Sequence, residues 1–259
     1  MSELLNGIRS ARIYDLAQPY YTGMPHHPNH PPFLFGLNKK HGDYVTAGGA
    51  SSASEGLALG GHVGTHIDAL CHFSHEGKLH GGHVAADVQS YVNGLERDAV
   101  DTIAPIFRRG LLLDIAAQTG REALPADFEI LPEHMEAAAQ AEVRAGDVVL
   151  LRTGWARYFE DAARFISQVH GPGPGEAGAH WLSKRGIFAA GSDTVAFEKV
   201  PAPDMPVHVH LLVSNGIHII ECLNLEEIAA KHVYEFLFVA APLKIRGGTA
   251  SPIRPVAIV

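Results

Sequence analysis

Four side chains that can bind a metal lie close together in the first third of the sequence. They are His62, His66, Asp68 and His72, all within residues 61–73. Imidazole nitrogens and carboxylate oxygens are the ligand atoms that suit zinc, manganese or ferrous iron. The glycine and threonine between the first two histidines provide a tight backbone that can bring both rings to one point. If one segment of this sequence does chemistry, we expect it to be this one.

Histidine is common in this chain, which has 17 among its 259 residues. At that frequency about one His-x-x-x-His pair is expected by chance, so the pair of His62 and His66 alone is weak evidence. The aspartate six positions after His62 and the histidine ten positions after it make a chance pattern much less common.

The spacing fits a catalytic metal site, which usually has three protein ligands and an open position for water. His62, His66 and Asp68 could supply the three ligands. The metal would lower the pKa of the water and polarise a substrate carbonyl, and both effects promote hydrolysis. His72 could act as the general acid/base that protonates the leaving group, a contribution of typically ~10²–10⁴-fold. Glu221, at the end of a predicted strand, could complete the site or bridge a second metal.

Two other interpretations of the segment are a structural metal site and a set of hydrogen-bonded histidines. Structural zinc sites favour saturated, cysteine-rich coordination. The one thiol nearby, Cys71, belongs to a residue type that is more often a small buried side chain than a ligand. We therefore favour an enzyme. Because two histidines and a carboxylate also hold ferrous iron, an oxygenase and an inactive metal-binding protein are further alternatives.

Composition limits the class of protein further. The net charge of −8 argues against nucleic acid or an anionic membrane as the main partner, and a small-molecule substrate is expected instead. No apolar run reaches the ~18 residues that span a bilayer, and the first residues lack the apolar region of a secretory signal. Two cysteines are too few for a disulfide framework. We expect a cytoplasmic enzyme.

Apolar patterns predict alternating strands and helices. Strands are predicted at 13–16, 57–59, 110–115, 147–151, 217–221 and 236–240, a strand followed by a turn at 187–194, and helices at 132–145, 177–185, 208–216 and from 224. A helix or tight turn is predicted to begin near Thr65, and residues 247–255 are predicted to form a closing loop. The Gly-Pro run at 171–175 is too short for an interdomain linker, and alternation resumes directly after it. One domain over residues 1–259 is therefore predicted.

Two further features could contribute to a pocket. The proline-rich segment 18–32 predicts an ordered loop at a pocket rim or on the surface, and it carries His26, His27 and His30 as less favoured ligand candidates. Trp155, at the end of a predicted strand, could stack on a planar substrate or pack in the core.

The histidine-rich segment also resembles the signature of a known family. The run His62-Val63-Gly64-Thr65-His66-Ile67-Asp68, with His72 four residues further on, is similar to that of the metal-dependent cyclase-family hydrolases, which include bacterial kynurenine formamidase and isatin hydrolase. The likeness extends over most of the chain. It implies an α/β fold of the swivelling β/β/α type, in a single domain around a compact barrel-like mixed sheet, and assembly as a homodimer or homotetramer.

The resemblance also implies roles for individual residues. Carried over by position, His62, His66 and Asp68 bind the first metal ion, and His72 is the acid/base. Glu221 matches the downstream carboxylate that touches the metal site. One or two ions of zinc or manganese are implied.

A further histidine ligand is implied upstream of Glu221. The spacing is off by one from some relatives, because Val209 occupies the expected place between His208 and His210. The pattern His-x-x-Leu-Leu-Val begins at His208, which we therefore favour over His210.

The proline-rich loop departs from one branch of the family. Kynurenine formamidases resemble one another in a Pro-x-Trp-Pro stretch whose tryptophan lines the substrate pocket, whereas residues 25–28 here are Pro-His-His-Pro. His27 thus stands where the tryptophan would be, and the loss of that stacking surface weakens the assignment to formylkynurenine. We predict an amidohydrolase that cleaves the C–N bond of a different linear or cyclic amide. A lactone or ester hydrolase is the alternative.

Overall fold

The structure is a computed structural model that describes residue 7 and residues 10–259. Its strands are β1 (Ile13–Asp15), β2 (Leu34–Lys39), β3 (Ser54–Ala58), β4 (His66–Asp68), β5 (Gln89–Ser90), β6 (Gly94–Leu95), β7 (Ile106–Asp114), β8 (Glu129–Ile130), β9 (Val148–Arg152), β10 (Gly173–Pro174), β11 (Ala189–Ser192), β12 (His218–Glu221), β13 (Glu235–Ala240), β14 (Ala250–Pro252) and β15 (Val256–Ile258).

Short helices connect these strands. The α-helices are α1 (Ile115–Gln118), α2 (Pro132–Ala138), α3 (Ala162–Ile166), α4 (Glu176–Ser183), α5 (Pro206–His208) and α6 (Glu226–Ala230). Helix α5 continues directly as a π-helix, Val209–Ser214. Single 3₁₀ turns occur at Leu70–His72, His80–Gly82, Ala85–Asp87, Val100–Thr102 and Trp155–Tyr158. No helix in the described ranges is both long and apolar enough to cross a membrane.

Nine strands form one mixed sheet that curls into a half-barrel, in the order β1-β15-β13-β7-β9-β11-β12-β4-β14. Strands β7, β9, β11 and β12 run parallel at its centre, and the outer pairings are antiparallel. Parallel strands are covered on both faces and therefore read as continuous apolar runs. This is why the sequence predicts these central strands well.

The two faces of the sheet pack into separate hydrophobic clusters. Along β9, Val148 and Leu150 enter one cluster, while Val149 and Leu151 enter the other. Side chains alternate between faces along a strand, so one short run serves both cores. The second cluster includes Leu182 of α4, which covers that face.

The helix predicted at 132–145 is shorter in the structure and ends at Ala138. Beyond it, the guanidinium of Arg109 donates hydrogen bonds to the Glu142 carbonyl and to the Asp147 carboxylate, both at 3.0 Å. These tertiary contacts hold the following segment in a loop and override its alanine-rich helix propensity.

Two local predictions near the histidine-rich segment are also wrong. Residues 66–68 form strand β4 rather than the helix or tight turn predicted to begin near Thr65, and the predicted closing loop contributes strand β14. Strand β4 pairs with β12 on one side and β14 on the other. Its backbone hydrogen bonds are therefore made to distant segments, which no local pattern reveals.

Trp155 packs in the core, as one of its two interpretations predicted. Its indole N–H donates to the Phe165 carbonyl at 2.9 Å. Arg152, three residues earlier, also stabilises the fold, because its guanidinium forms ion pairs with Asp114 and Glu226, each at 2.8 Å.

Strands β2 and β3 form a separate two-stranded hairpin, which we call the arm. Its large apolar side chains are more than half exposed, and they are Leu34, Phe35, Leu37 and Leu57. The arm lies between the proline-rich loop and the histidine-rich segment.

Candidate metal centre

Strand β4 presents two of the predicted ligands on one face of the sheet. His66 and Asp68 are two positions apart, and side chains at that spacing share a face. In the register with β12, His66 lies directly opposite Glu221. His66 Nε2 is 3.5 Å from Asp68 Oδ1 and 3.4 Å from Glu221 Oε2. Sheet geometry alone therefore brings three predicted residues together.

His62 and His72 reach the same place from the two ends of β4. The turn before the strand needs a glycine, because Gly64 has a φ of +62° and a Cβ there would lie 2.7 Å from the Tyr20 ring. His62 Nδ1 lies 2.8 Å from Asp68 Oδ1. The ring of His72, at the end of a 3₁₀ turn, has its centroid 3.9 Å from that of His62.

The structure brings His208 to this cluster and leaves His210 outside it. His208 Nε2 lies 3.4 Å from Glu221 Oε1 and 3.9 Å from Asp68 Oδ2. His210 instead bonds to Ser183 through its ring Nε2 at 2.8 Å.

A π-helix, Val209–Ser214, separates His208 from the strand that carries Glu221. A π-helical turn closes i→i+5 hydrogen bonds, so it takes up one residue more than an α-helical turn. With this helix between them, His208 Nε2 and Glu221 Oε1 lie 3.4 Å apart.

Two of the rings are oriented by groups on their outer side. His66 Nδ1–H donates to the Gly64 carbonyl at 2.7 Å, which leaves a lone pair on Nε2 toward Asp68 and Glu221. His62 Nε2 shares a hydrogen bond of 3.0 Å with Thr249 Oγ1. Ligand imidazoles in metalloproteins are commonly held this way.

The third ring is held by Glu198, which the sequence reasoning missed. His208 Nδ1–H donates to Glu198 Oε1 at 2.6 Å. Neither Glu198 nor Thr249 belongs to a local motif. Their place beside the site follows only from the tertiary structure.

Three buried polar atoms in the cluster make no hydrogen bond among the described residues: His66 Nε2 and both carboxylate oxygens of Asp68. The short contact from Asp68 to His62 lacks hydrogen-bond angles. An unsatisfied buried polar group costs about 1–3 kcal/mol, and more if it is charged. Nitrogen and oxygen atoms converging without partners are what a divalent metal ion would satisfy, so these residues fit the predicted ion.

Two groups of three side chains could each hold an ion. One consists of His62, Asp68 and His72, and the other of His66, Asp68 and Glu221. Asp68 belongs to both groups. The geometry therefore accommodates one ion or two.

The protonation states of the two carboxylates at the centre suit metal binding. Burial favours a higher pKa for Glu221, but the adjacent imidazoles of His208 and His66 outweigh it and bring the pKa to about 2. Burial also opposes ionisation of Asp68, yet the neighbouring imidazoles hold its pKa well below the usual range. Burial lowers the pKa of His72 to about 3. At neutral pH the two carboxylates are thus ionised and His72 is neutral.

A cavity of about 510 Å³ opens directly onto the cluster. His27 and His30 line it, which agrees with the first of the two alternatives predicted for their loop, a pocket rim or the surface, and the His30 ring stacks on His62 at 4.6 Å. Much of its remaining wall is apolar, including Phe73, Val195, Val200, Pro201, Pro203 and Met205. The volume suits a small molecule, since ligand pockets typically span ~300–1,000 Å³.

The mixed α/β fold and this centre define a class of hydrolases with a candidate histidine–carboxylate metal site. The sequence profile of the Cyclase family matches residues 14–199. Isatin hydrolase of Roseibium aggregatum is 31% identical over 216 residues, which cover 78% of this chain and 73% of that protein. The chain belongs to the Cyclase family. The family predicted from the sequence is thereby confirmed.

Other relatives and solved structures agree. Kynurenine formamidase of Bacillus thuringiensis is 25% identical over 254 residues, covering 96% of this chain and 98% of that protein. A structure described as a novel cyclase has a TM-score of 0.89 at 26% identity, covering 100% of this chain and 90% of the other. Isatin hydrolase A from Ralstonia solanacearum has a TM-score of 0.77 at 26% identity, covering 100% and 96%. The predicted α/β class and hydrolase class are confirmed.

Proposed function

We propose that this enzyme hydrolyses the C–N bond of a small linear or cyclic amide at a centre that holds one or two Zn²⁺ or Mn²⁺ ions. The ligands in this proposal are His62, His66, Asp68, His208 and Glu221. The main support for this proposal is that buried nitrogen and oxygen atoms of His66 and Asp68 have no hydrogen-bond partner among the described residues, and that they lie beside an open cavity. The relatives named isatin hydrolase and kynurenine formamidase support an amide substrate.

His72 is the proposed acid/base of the reaction. When bound, the metal ion acidifies water and polarises a carbonyl. The neutral imidazole of His72 accepts a proton from the attacking water and returns it to the leaving nitrogen. Its ring lies against His62 and beside the cavity, so it can reach both the water and the substrate.

The cavity supports a substrate with an apolar body and a polar edge. The apolar wall around Pro201 and Phe73 can pack against a planar body. At the rim, the Asn29 backbone N–H donates to His27 Nδ1 at 3.2 Å, which leaves the proton of a neutral His27 on Nε2. His27 thus offers a hydrogen-bond donor where a tryptophan would offer a stacking surface.

Metal analysis coupled to a hydrolysis screen tests this function. The purified protein should contain one or two equivalents of metal, hydrolyse a linear or cyclic amide, lose that activity to a chelator and regain it with Zn²⁺ or Mn²⁺. Lactones and esters form the comparison arm, because the attack on their carbonyl is the same. Activity with redox-inert Zn²⁺ eliminates an oxygenase. If no metal co-purifies and none restores activity, the proposal fails.

We also propose that copies of this chain associate through the arm. An isolated two-stranded hairpin is at best marginally stable in water, and exposed apolar patches commonly mark interfaces. Leu34, Phe35 and Leu37 of β2 and Leu57 of β3 are each more than half exposed. A homodimer or homotetramer would cover them.

A cytoplasmic location is proposed as well, supported by two buried free cysteines.

A charge in the arm should disrupt this association. The Leu37→Glu variant is expected to elute as a monomer in size-exclusion chromatography with light scattering, whereas the unmodified protein elutes as a dimer or tetramer. The matched control is Val92→Glu, which adds the same charge at an exposed apolar residue outside the arm. A monomeric unmodified protein, or an unchanged Leu37→Glu assembly, would contradict the proposal.

A further inference from the structure

Glu198 lies between β11 and α5, and its side chain is only 1% exposed. Its Oε1 accepts two hydrogen bonds from one residue, from the His208 ring Nδ1–H at 2.6 Å and from the His208 backbone N–H at 3.0 Å. Its Oε2 accepts from the Val207 N–H at 3.4 Å. One carboxylate therefore holds both the ring and the backbone of His208.

A neutral side chain could accept the same hydrogen bonds at a lower desolvation cost. Burying a carboxylate is expensive unless an opposite charge and hydrogen bonds compensate for it. Within the described part of the chain, the ion-pair partner of Glu198 is the His208 ring. The negative charge is thus directed at one imidazole, whose other nitrogen faces Asp68 and Glu221.

The partners of the other two rings are uncharged. His66 donates to a backbone carbonyl, and His62 bonds to a hydroxyl. A carboxylate behind a ligand imidazole fixes its tautomer and raises the basicity of its ligating nitrogen. Of the three rings, His208 is the one that receives this support.

We propose that Glu198 is a positioning residue that sets the metal affinity of the centre through His208. It keeps the His208 proton on Nδ1, turns Nε2 toward Asp68 and Glu221, and makes Nε2 a stronger donor to a cation. The inference rests on the proposed metal centre, and it adds a residue that touches neither the metal ion nor the substrate.

The test is the affinity of the Glu198→Gln variant for Zn²⁺, measured by competition with a chromophoric chelator. Glutamine keeps an acceptor oxygen near His208 but removes the charge. We expect about 10–100-fold weaker binding. The d–d absorption of the Co²⁺-substituted protein should change as well, because that spectrum reports the ligands directly.

Asp193→Asn is the matched control, because Asp193 is a fully buried carboxylate in the same connection. It accepts hydrogen bonds from Thr153 and Gly154 rather than from a ring at the centre. This variant should lower the melting temperature of the metal-free protein and keep the Zn²⁺ affinity. Glu198→Asp, which retains the charge on a shorter side chain, should fall between the unmodified protein and Glu198→Gln.

The possible outcomes separate this inference from the proposed function. If Glu198→Gln binds Zn²⁺ within about threefold of the unmodified protein, or if Asp193→Asn loses affinity equally, the role of Glu198 is merely structural and the inference is overturned. If Glu198→Gln does not fold, weaker binding by Glu198→Asp supports the inference and unchanged binding overturns it. If the unmodified protein binds no metal, the proposed function itself fails.

Discussion

Replacing Asp68 with asparagine should lower hydrolysis by on the order of 10³-fold or more and leave the purified protein depleted of metal. Asp68 belongs to both groups of side chains that could hold an ion. Its two oxygens are buried without hydrogen-bond partners. An amide would remove the negative charge and turn an N–H₂ group toward His62 and His66. Loss of several kcal/mol of transition-state stabilisation by the metal corresponds to an effect of this size.

Elemental analysis and kcat/KM measured on the same sample test this expectation. Asp147→Asn is the control, because Asp147 is a buried carboxylate whose partner is Arg109, away from the centre. The control should lose stability but keep both metal and activity. An Asp68→Asn protein with a full complement of metal would show that Asp68 is not a ligand.

Replacing His72 with alanine should lower turnover by about 10²–10⁴-fold, the range typical for loss of a general acid/base. The metal content should be unchanged. The metal content must be measured as well as the turnover, because His72 could also be a ligand. Its ring packs on His62, and it forms one of the two candidate ligand groups with His62 and Asp68. Metal content therefore separates the two roles that the geometry permits.

Full metal with low kcat identifies His72 as the acid/base. Parallel loss of metal and activity would make it a ligand instead, and the acid/base assignment would be wrong. His83→Ala is the control, since His83 is an exposed histidine outside the cavity lining. It should retain both metal and turnover.

The parts of the molecule that the sequence predicts well are those encoded locally. The central strand β9 is a continuous apolar run, and its burial on both faces requires that composition. The histidine-rich segment is also local, because β4 and its two flanking turns carry His62, His66, Asp68 and His72 within eleven positions. These four side chains could therefore be predicted from the sequence alone to belong to one site.

The parts that could not be predicted depend on contacts between distant segments. Strand β4 has three residues, too few for a periodic pattern, and exists because β12 and β14 pair with it. Thr249 and Glu198 belong to no motif in the sequence. Their role is to form hydrogen bonds to the rings of His62 and His208, which are distant from them or outside any shared pattern. The preference for His208 over His210, by contrast, was available from the sequence, and the structure places the His208 ring beside Glu221.

The pairing of β4 with β12 also has a consequence for folding. Asp68 and His218 are 150 residues apart in the chain, yet the Asp68 carbonyl accepts a hydrogen bond from the His218 ring at 2.9 Å. Because contacts between segments so far apart in the chain form slowly, we expect the ligands on β4 and β12 to meet only when these two strands pair. An ion at 100 times its Kd would stabilise that closed state alone by about 2.7 kcal/mol. Metal supply during synthesis should therefore raise the fraction of the chain that stays in its native state.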